Sequence, residues 1–256
     1  MTNEPSGTVL ITGAARRIGK AIVDALAGDG WRIALHYGGS AEEAEAGAAD
    51  LRARGAEVAL YEADLRDEAQ VRGLIPRIAG DMGTLDCLVN NASVFERDSL
   101  GDAARESWDA HMEVNLRAPF VLTQAFAEQY RGENGNIINI LDQRVWNLTP
   151  HFSSYTLSKA GLWTLTRTTA QALAPAIRVN AVGPGPTLPS PRQSEDGFRA
   201  QWERTPLARR VDPQEIASAV RFILATPSMT GQMIALDSGQ HLGWASPAAG
   251  AGDEDE

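Results

Sequence analysis

The sequence predicts an α/β fold with one doubly wound parallel sheet of about seven strands and helices on both faces. Two observations predict it. Short runs rich in Val, Ile and Leu alternate with stretches of 3.6-residue periodicity along almost the whole chain. Two such strand–helix units pass within about sixty residues, which is the spacing of a parallel sheet. A chain of 256 residues can bury about 70–75% of its unfolded surface, so it needs no disulfide to be stable.

Each element follows from a local pattern. The predicted strands are Thr8–Ile11, Trp31–Tyr37, Val58–Tyr61, Leu85–Asn90, Asn136–Leu141, Ile177–Val182 and Gly231–Leu236. Three predicted helices span Ala41–Arg54, Ser107–Tyr130 and Ser153–Leu173. Three more are predicted to begin near Ile18, Asp67 and Asp212. Asp67 and Asp212 are typical N-caps, and Ser153 and Ser154 are candidate N-caps of the last long helix. Pro76 is expected to bend or break the helix that follows Asp67.

The chain shows no linker that would divide it. We therefore expect a single domain over residues 1–244 and a solvated acidic tail over residues 245–256. Residues 183–210 are rich in Pro, Gly and charge. A connection of that length inside a compact domain is usually a functional lid or a disordered segment, and we expect a substrate lid here.

Charge and cysteine content exclude several classes of protein. The net charge is −10 and no basic run is present, which argues against a nucleic-acid or membrane partner. The single cysteine, Cys87, lies in an apolar run and is expected to be buried, and the histidines lack metal-ligand spacing, so we expect no metal. Without a signal peptide or a run of roughly 18 apolar residues, the protein is expected to be cytoplasmic.

The turn after the first strand carries the first functional signal. Gly13 and Gly19 let the backbone turn tightly and approach a pyrophosphate at a helix N-terminus, although the same glycines also suit an ordinary βα connection. The strand–turn–helix context favours dinucleotide binding. We therefore predict that Gly13, Arg17, Ile18 and Gly19 belong to a cofactor site.

The end of the second strand favours NADP over NAD. An acidic residue roughly 20 positions beyond the glycines would bind a ribose 2′-hydroxyl, whereas this chain has His36, Tyr37 and Ser40 and no acid before Glu42. Arg17 also occupies a place from which a guanidinium can face phosphate oxygens. We predict NADP(H) as cofactor, with His36, Tyr37 and Ser40 in its site; the alternative for His36 is a histidine satisfied at the strand end.

Tyr155 and Lys159 are four residues apart in a predicted helix, so they share one face. A tyrosine with a pKa near 10 is a poor acid–base catalyst at neutral pH, and a nearby ammonium is expected to lower that pKa. The pair follows a strand at the edge of the sheet where ligands bind. We predict that both residues are catalytic.

In these motifs the chain resembles the short-chain dehydrogenase/reductase family, from Thr8 to about Leu242. The motifs are Thr12-Gly13…Gly19, Asp64, Asn90-Asn91-Ala92, Asn115, Tyr155…Lys159 and Pro184-Gly185. The resemblance implies a Rossmann-type fold, hydride transfer from a nicotinamide and a homotetramer. It also implies Tyr155 as proton donor, Lys159 as ribose anchor and Asn115 as holder of a relay water. The cofactor site that it implies further includes Asp64, Leu65, Asn91, Ala92, Ser93, Pro184 and Gly185.

One departure from the family pattern narrows the chemistry. Where the family usually has a serine after the fifth strand, this chain has Asp142. An ionised carboxylate cannot donate a hydrogen bond to a developing alkoxide, so ketone reduction fits poorly. A carboxylate suits a substrate with N–H donors and, beside Tyr155, could relay a proton to a ring nitrogen. In this respect the chain is similar to the pteridine reductase branch, which reduces C=N bonds of pterins and folates with NADPH.

That similarity implies a substrate site. Phe95 would stack the pterin on the nicotinamide, Ser93 and Arg17 would contact its polar edge, and Phe198 would act as a lid aromatic. Asp142 and Tyr155 would complete the substrate site, whereas the ordinary interpretation of Phe95 is a buried loop aromatic. Two other functions stay open: a reductase of another carbonyl or imine, such as a 3-oxoacyl or ketone reductase, and a non-catalytic dinucleotide-binding regulator.

Overall fold

The computed structural model describes residues 6–190 and 192–243. The strands are β1 (Thr8–Ile11), β2 (Arg32–Tyr37), β3 (Val58–Glu62), β4 (Cys87–Asn90), β5 (Gly135–Ile140), β6 (Ile177–Pro184) and β7 (Met233–Leu236). The helices are α1 (Arg17–Gly28), α2 (Ala41–Ala53), α3 (Glu68–Met82), α4 (Arg105–Met112), α5 (Ala118–Gln129), α6 (Ser153–Leu173), α7 (Glu195–Glu203) and α8 (Pro213–Leu224). The strands form one sheet in the order β3-β2-β1-β4-β5-β6-β7, with all neighbours parallel. The predicted fold class is confirmed; the predicted tail, residues 245–256, lies outside the described residues.

Side chains that alternate along β1 contribute to a hydrophobic core on each face of the sheet. Val9 and Ile11 pack on one side with Leu26 of α1, whereas Leu10 packs on the other side with Phe126 of α5. All five side chains are fully buried. Burial of one such side chain stabilises the fold by about 1.5–3 kcal/mol, so the two layers hold the sheet edges firmly in place.

The strand order places the functional edge of the sheet. The chain runs outward from β1 to β3 and then returns to form β4 beside β1, so the loops after β1 and β4 leave the sheet in opposite directions. Such a reversal opens a crevice at the carboxyl ends of the strands. The Asn91 amide group bridges the two loops, since it donates to the carbonyls of Thr12 at 2.8 Å and Gly13 at 3.0 Å.

Pro76 does not break α3, so the predicted break is wrong, and the bend stays a prediction. The helix runs without interruption from Glu68 to Met82, and the Asp67 carboxylate caps it by accepting from two backbone N–H groups. Pro76 lies on the solvent side while Leu74 and Ile78 are buried. A proline inside a helix costs about 3 kcal/mol, and burial of the apolar face offsets that cost.

The predicted helix Ser107–Tyr130 is divided. α4 ends at Met112, a π-helical turn follows over Glu113–Arg117, and α5 begins at Ala118. The extra residue of a π turn rotates the side chains that follow it, and such turns occur frequently at functional sites. Asn115 lies in the middle of this turn.

Ser153 and Ser154 are not N-caps, so that prediction is also wrong. Both lie inside the first turn of α6, and the residue before them, Phe152, has a left-handed backbone with φ 56° and caps nothing with its side chain. The Ser154 hydroxyl is bonded elsewhere, to Asp98. Competing polar partners have therefore overridden the capping preference of serine.

The connection over residues 183–210 is partly regular. β6 continues to Pro184, and α7 lies within the connection after an N-cap bond from Gly197 to the Ser194 hydroxyl. The segment crosses the crevice between these two elements. Within residues 6–190 and 192–243, no helix is both long enough and apolar enough to cross a membrane.

Candidate active site

A cleft of about 1330 Å³ opens at the carboxyl edge of the sheet. The predicted site residues that line it are Gly13, Arg17, Ile18, Gly19, His36, Tyr37, Ser40, Asp64, Leu65, Asn91, Ala92, Ser93, Phe95, Asp142, Tyr155, Lys159, Pro184, Gly185 and Phe198. Asn115 is the exception, because it is fully buried behind the wall of the cleft. The fold thus gathers residues from positions 13 to 198 into one cavity.

The lining of the cleft is cationic although the whole chain carries a charge of −10. Its basic residues are Arg16, Arg17, Arg66, Arg77, Arg97, Arg144, Lys159 and Arg192, and its acidic residues are Glu62, Asp64 and Asp142. A cleft lined with one sign of charge attracts ligands of the other sign. The cavity therefore suits an anionic ligand.

The glycine turn is packed closely against other parts of the protein, and it has no space for side chains at Gly13 and Gly19. Gly13 has φ +61°, which disfavours a side chain. A Cβ atom added to Gly19 would lie 2.4 Å from the Gly13 carbonyl oxygen and 2.6 Å from the Asn91 amide nitrogen. The first turn of α1 opens into the cleft, where its free N–H groups favour phosphate oxygens. These residues fit a dinucleotide pyrophosphate.

His36 holds the glycine turn from behind. Its Nδ1 accepts the Gly13 N–H at 3.1 Å, which places the ring proton on Nε2, 3.1 Å from the Ala63 carbonyl oxygen. Burial lowers the pKa of His36 to about 4. The neutral ring therefore ties the end of β2 to the phosphate turn and to the end of β3, as the alternative interpretation of this residue requires.

Arg17 connects the phosphate turn to the opposite side of the cleft. Its guanidinium donates to the carbonyls of Pro189 at 2.8 Å and Leu188 at 3.2 Å. The residue has a left-handed backbone with φ 56°. Burial, followed by the neighbouring Arg16, lowers the pKa of Arg17. The guanidinium thus lies between the phosphate turn and residues 186–190. A phosphate bound at the turn, or a ligand bound beside residues 186–190, would contact it.

The predicted catalytic side chains converge at the base of the cleft. Tyr155 and Lys159 lie one turn apart on α6, and they are 5% and 2% exposed. The Tyr155 hydroxyl donates to Asp142 Oδ2 at 2.8 Å. Asp142 Oδ1 accepts the backbone N–H of Arg144 at 2.8 Å, and Lys159 Nζ donates to the Ile140 carbonyl at 2.9 Å. The carboxylate that replaces the usual serine is therefore in direct contact with the phenol.

The electrostatics of this pair differ from the sequence-based expectation. Burial, and then the Asp142 charge, raise the pKa of Tyr155 well above its ordinary value, with Arg144 acting in the opposite direction. Burial lowers the pKa of Lys159 to about 8. The prediction that Lys159 lowers the pKa of the phenol is wrong, because its ammonium group is 5.8 Å from the ring centroid while Asp142 touches the hydroxyl. The phenol is therefore protonated at neutral pH, and in this arrangement it is a weaker acid than a free tyrosine.

Asn115 is saturated with protein contacts. Its amide nitrogen donates to the Val94 carbonyl at 2.9 Å and to the Ser158 hydroxyl at 3.1 Å, and its oxygen accepts the Val94 N–H at 2.8 Å. The π turn thereby holds the loop after β4, which carries Phe95. Whether Asn115 also holds a relay water stays a prediction.

An aromatic stack that the sequence analysis missed forms one wall of the cleft. Phe95 stacks on Phe152 with 4.6 Å between centroids and meets the ring of Tyr155 edge-on at 4.7 Å. The Arg144 guanidinium lies 4.5 Å from the Phe152 centroid and 5.5 Å from that of Phe95. Cation–π and aromatic contacts of this kind contribute about 0.5–2 kcal/mol each. No local motif marks Phe152 or Arg144, since their partners are distant in the sequence.

A second missed residue, Arg192, closes the mouth of the cleft. Its guanidinium pairs with Glu96 and donates to the Phe95 carbonyl at 2.6 Å. This joins the loop after β4 to the connection that precedes α7. Phe198 of α7 is 3% exposed and lines the same end of the cleft.

Two predicted site residues bond to near neighbours. The Asp64 carboxylate accepts from the Arg66 guanidinium at 3.0 Å, and that hydrogen bond is the main cause of the lowered pKa of Asp64. The exposed Ser93 hydroxyl donates to the Val94 carbonyl at 3.3 Å. Both contacts are at the surface, where exchange for a ligand costs little.

The chain matches known proteins over nearly its whole length. A family model described as enoyl-(acyl carrier protein) reductase matches residues 13–241. The 3-oxoacyl-[acyl-carrier-protein] reductase FabG of Staphylococcus aureus is 32% identical over 241 residues, covering 92% of this chain and 98% of the relative. The chain belongs to the short-chain dehydrogenase/reductase family. The family resemblance predicted from the motifs is confirmed.

Within the short-chain dehydrogenase/reductase family, solved structures of higher identity are also similar. FolM alternative dihydrofolate reductase 1 from Brucella canis, complexed with NADP, is 46% identical with a TM-score of 0.91 and covers 96% of this chain and 98% of its own. The same protein from Brucella suis, also with NADP, is 46% identical with a TM-score of 0.91 and covers 97% and 99%. The Rossmann-type fold of the family is thus shared in full.

Proposed function

We propose that the protein is an NADPH-dependent pteridine reductase, which transfers a hydride to a C=N bond of a dihydropterin or of dihydrofolate. The observation that carries the proposal is the contact of Asp142 with the Tyr155 hydroxyl at 2.8 Å, in the place where the family usually has a serine. The similarity to the two FolM dihydrofolate reductases supports it independently.

NADP(H) fits the turn and strand ends described above. Gly13 and Gly19 allow the turn to pack closely against the loop after β4, and the first turn of α1 lines the cleft, where a pyrophosphate would bind. Ser40 and Arg16 both line the cleft, and β2 ends at Tyr37 without an acidic side chain, which suits a 2′-phosphate. When bound, the cofactor supplies the hydride that adds to the carbon of the C=N bond.

Tyr155 supplies the proton in this proposal. The phenol carries its proton at neutral pH and donates it to the ring nitrogen as the hydride reaches the carbon, so that C=N becomes CH–NH. The Asp142 carboxylate accepts an N–H group of the substrate and thereby orients the ring against the phenol. Lys159, which donates to the Ile140 carbonyl, would bind the ribose hydroxyls of the cofactor. The stacked rings of Phe95 and Phe152 form one wall of the slot for a flat ring.

A 3-oxoacyl or ketone reductase is the second candidate, and it is favoured by the similarity to FabG. In that reaction an alkoxide develops next to residue 142. A carboxylate there repels the alkoxide, whereas a serine donates to it. The two candidates therefore predict opposite responses to a change of Asp142.

The test is NADPH oxidation, followed by absorbance, with dihydrobiopterin, dihydromonapterin, dihydrofolate and simple ketones as substrates. We expect turnover of a pterin or folate, and we expect Asp142→Ser to lower it about 10²-fold, because the ring would no longer be oriented against the phenol. Asp142→Asn is the matched control, which keeps the size and removes the charge. Retained or improved pterin turnover in Asp142→Ser would overturn the role of Asp142, and turnover of ketones alone would favour the second candidate.

We also propose a cytoplasmic homotetramer. Phe120 of α5 and Leu157 of α6 are 37% and 51% exposed. A shallow groove of about 420 Å³ runs between these helices, lined by Met112, Leu116, Phe120, Gly161 and Leu165 among others. Exposed apolar surface of this kind suits burial against another copy of the chain. Light scattering of the purified protein tests the tetramer.

A further inference from the structure

His111 is a buried histidine that the proposed reaction does not use. It lies near the end of α4, and none of its surface is exposed. Its ring lies edge-on to the ring of Tyr155, with 5.9 Å between the centroids and 72° between the planes. A titratable group buried beside the proposed proton donor requires a physical explanation.

Hydrogen bonds assign its tautomer. The backbone N–H of Glu96 donates to Nε2 at 3.0 Å, so Nε2 carries no proton. The proton is therefore on Nδ1, which lies 2.6 Å from the Ser154 hydroxyl oxygen and donates to it. Burial is the main reason that the pKa of His111 is lowered; Asp98 and Glu96 from the loop act against burial, and Lys159 from α6 acts with it. The ring is thus held neutral at pH 7.

Asp98 completes the network. The Ser154 hydroxyl donates a hydrogen bond to Asp98 Oδ2, and the Ser154 backbone N–H donates to Asp98 Oδ1 at 3.1 Å. The Asp98 carbonyl accepts the N–H of Phe152 at 2.7 Å. Ser107 of α4 donates to the same carboxylate at 2.8 Å. Three separate segments, α4, the loop after β4 and the start of α6, are joined in this way.

The network is not a nucleophilic triad. In a triad the serine hydroxyl donates a hydrogen bond to the histidine. Here the serine hydroxyl donates to Asp98 and accepts from His111. Ser154 and His111 are fully buried, so no substrate reaches them. The contacts instead fix geometry.

We infer that His111 is a positioning residue for Tyr155, because it clamps the loop that carries Phe95 to the residue that precedes Tyr155. One ring nitrogen holds the Glu96 amide, next to Phe95, and the other holds Ser154, next to Tyr155. The clamp sets the distance between the wall of the substrate slot and the phenol that donates the proton. The inference rests on the proposed role of Tyr155, but not on which substrate is reduced.

Three substitutions separate the two bonds of the clamp. His111→Asn can keep the donor to Ser154, His111→Gln can keep the acceptor for Glu96, and His111→Leu fills the space and keeps neither. We expect His111→Leu to lower kcat about 10- to 100-fold, since small misplacement of reacting groups has effects of that size. The KM for NADPH is expected to stay within about twofold, because the glycine turn is remote from the clamp.

Partial rescue distinguishes positioning from packing. We expect the Asn and Gln variants to recover part of kcat although Leu fills an apolar pocket better than either. A Leu variant at least as active as the Asn and Gln variants would overturn the inference. Ser154→Ala, which removes one partner of the clamp and leaves His111 in place, is the second variant if His111→Leu does not fold. A kcat of Ser154→Ala within about twofold of the parent would also overturn it.

A measurement without substrate keeps this inference separate from the proposed function. The chain has four histidines, so the ring nitrogens of His111 can be assigned by ¹⁵N NMR from the signals lost in His111→Asn. The expected spectrum at pH 7 is that of a neutral ring with the proton on Nδ1. A proton on Nε2 would overturn the inference even in an active enzyme. Failure of pterin turnover alone would overturn only the substrate, and kcat would then be compared with the substrate that is reduced.

Discussion

The two halves of the cleft are held together by different forces. On the cofactor side, the turn after β1 is fixed by backbone contact: Gly19 lies against the Gly13 carbonyl, and the buried His36 ring holds the Gly13 amide. On the substrate side, the loop after β4 is joined to the connection before α7 by the exposed Arg192–Glu96 ion pair. The first arrangement cannot change without moving the backbone, whereas the second can re-form around different ligands.

The energies of the two halves differ accordingly. A methyl group forced into a packed backbone contact costs about 1–3 kcal/mol, and a buried hydrogen bond lost from one partner costs a similar amount. An exposed ion pair contributes about 0–1 kcal/mol. The cofactor half is therefore a rigid cradle, whereas on the substrate side the contact between the loop after β4 and the connection before α7 is adjustable.

The strongest test of the rigid half is Gly19→Ala. The new Cβ would lie 2.4 Å from a backbone oxygen, so the turn must shift. We expect a loss of about 2–3 kcal/mol in the free energy of unfolding and a rise in the KM for NADPH of about 10- to 100-fold. Urea unfolding and steady-state kinetics measure the two effects.

Gly28→Ala is the matched control for this prediction. Gly28 ends the same helix, α1, and a Cβ added there meets no atom within 4 Å. We expect that variant to be unchanged or more stable by about 0.5–1 kcal/mol, because alanine restricts the unfolded chain. Equal effects at both glycines would refute the cradle.

The contrast also explains what the sequence could predict. Gly13, Gly19, Tyr155 and Lys159 follow local rules of strand–turn–helix context and helical spacing, and all four line the cleft as expected. His111 bonds a residue 43 positions away, and Arg192 bonds one 97 positions away. Contacts of that separation depend on the tertiary fold, so no local pattern announces them.

The wrong pKa prediction has the same origin. Helical spacing places Lys159 on the face of Tyr155, but it does not say which charge lies closest to the hydroxyl. Asp142, which arrives from a different element, is in contact with that hydroxyl. The sign of the shift in the pKa of Tyr155 was therefore set by the fold, although Asp142 itself was recognised as the decisive departure from the family pattern.

His36 offers a smaller test, specific to the rigid half. Burial keeps its folded pKa at about 4, whereas a histidine in the unfolded chain has a pKa of about 6.5. As the pH falls below about 6.5, the unfolded state takes up a proton and the folded state does not, so stability is lost down to about pH 4. At 1.36 kcal/mol per pH unit, we expect this residue to account for a loss of about 2 kcal/mol between pH 7 and pH 5.

Urea unfolding at pH 7 and pH 5 measures this loss. In His36→Asn, whose side-chain oxygen can still accept the Gly13 N–H, we expect a pH dependence smaller by about that amount. His151→Asn, at a half-buried position outside this network, controls for the removal of one histidine. If His36→Asn lost as much stability between pH 7 and pH 5 as the parent protein, the neutral His36 ring would not be what holds the glycine turn.

The smallest effect is expected at the adjustable contact, for Arg192→Ala. Loss of an exposed ion pair and of one bond to the Phe95 carbonyl is expected to change the free energy of unfolding by about 1 kcal/mol or less. The KM for the reducible substrate should rise a few-fold, and the KM for NADPH should stay unchanged, because Arg192 bonds to Glu96 and Phe95 in the loop after β4. Arg199→Ala, on the exposed face of α7, is the matched control. An adjustable contact should affect the KM of the enclosed substrate and leave the free energy of unfolding almost unchanged. A large loss of stability in Arg192→Ala would therefore mean that this contact is as rigid as the cofactor half.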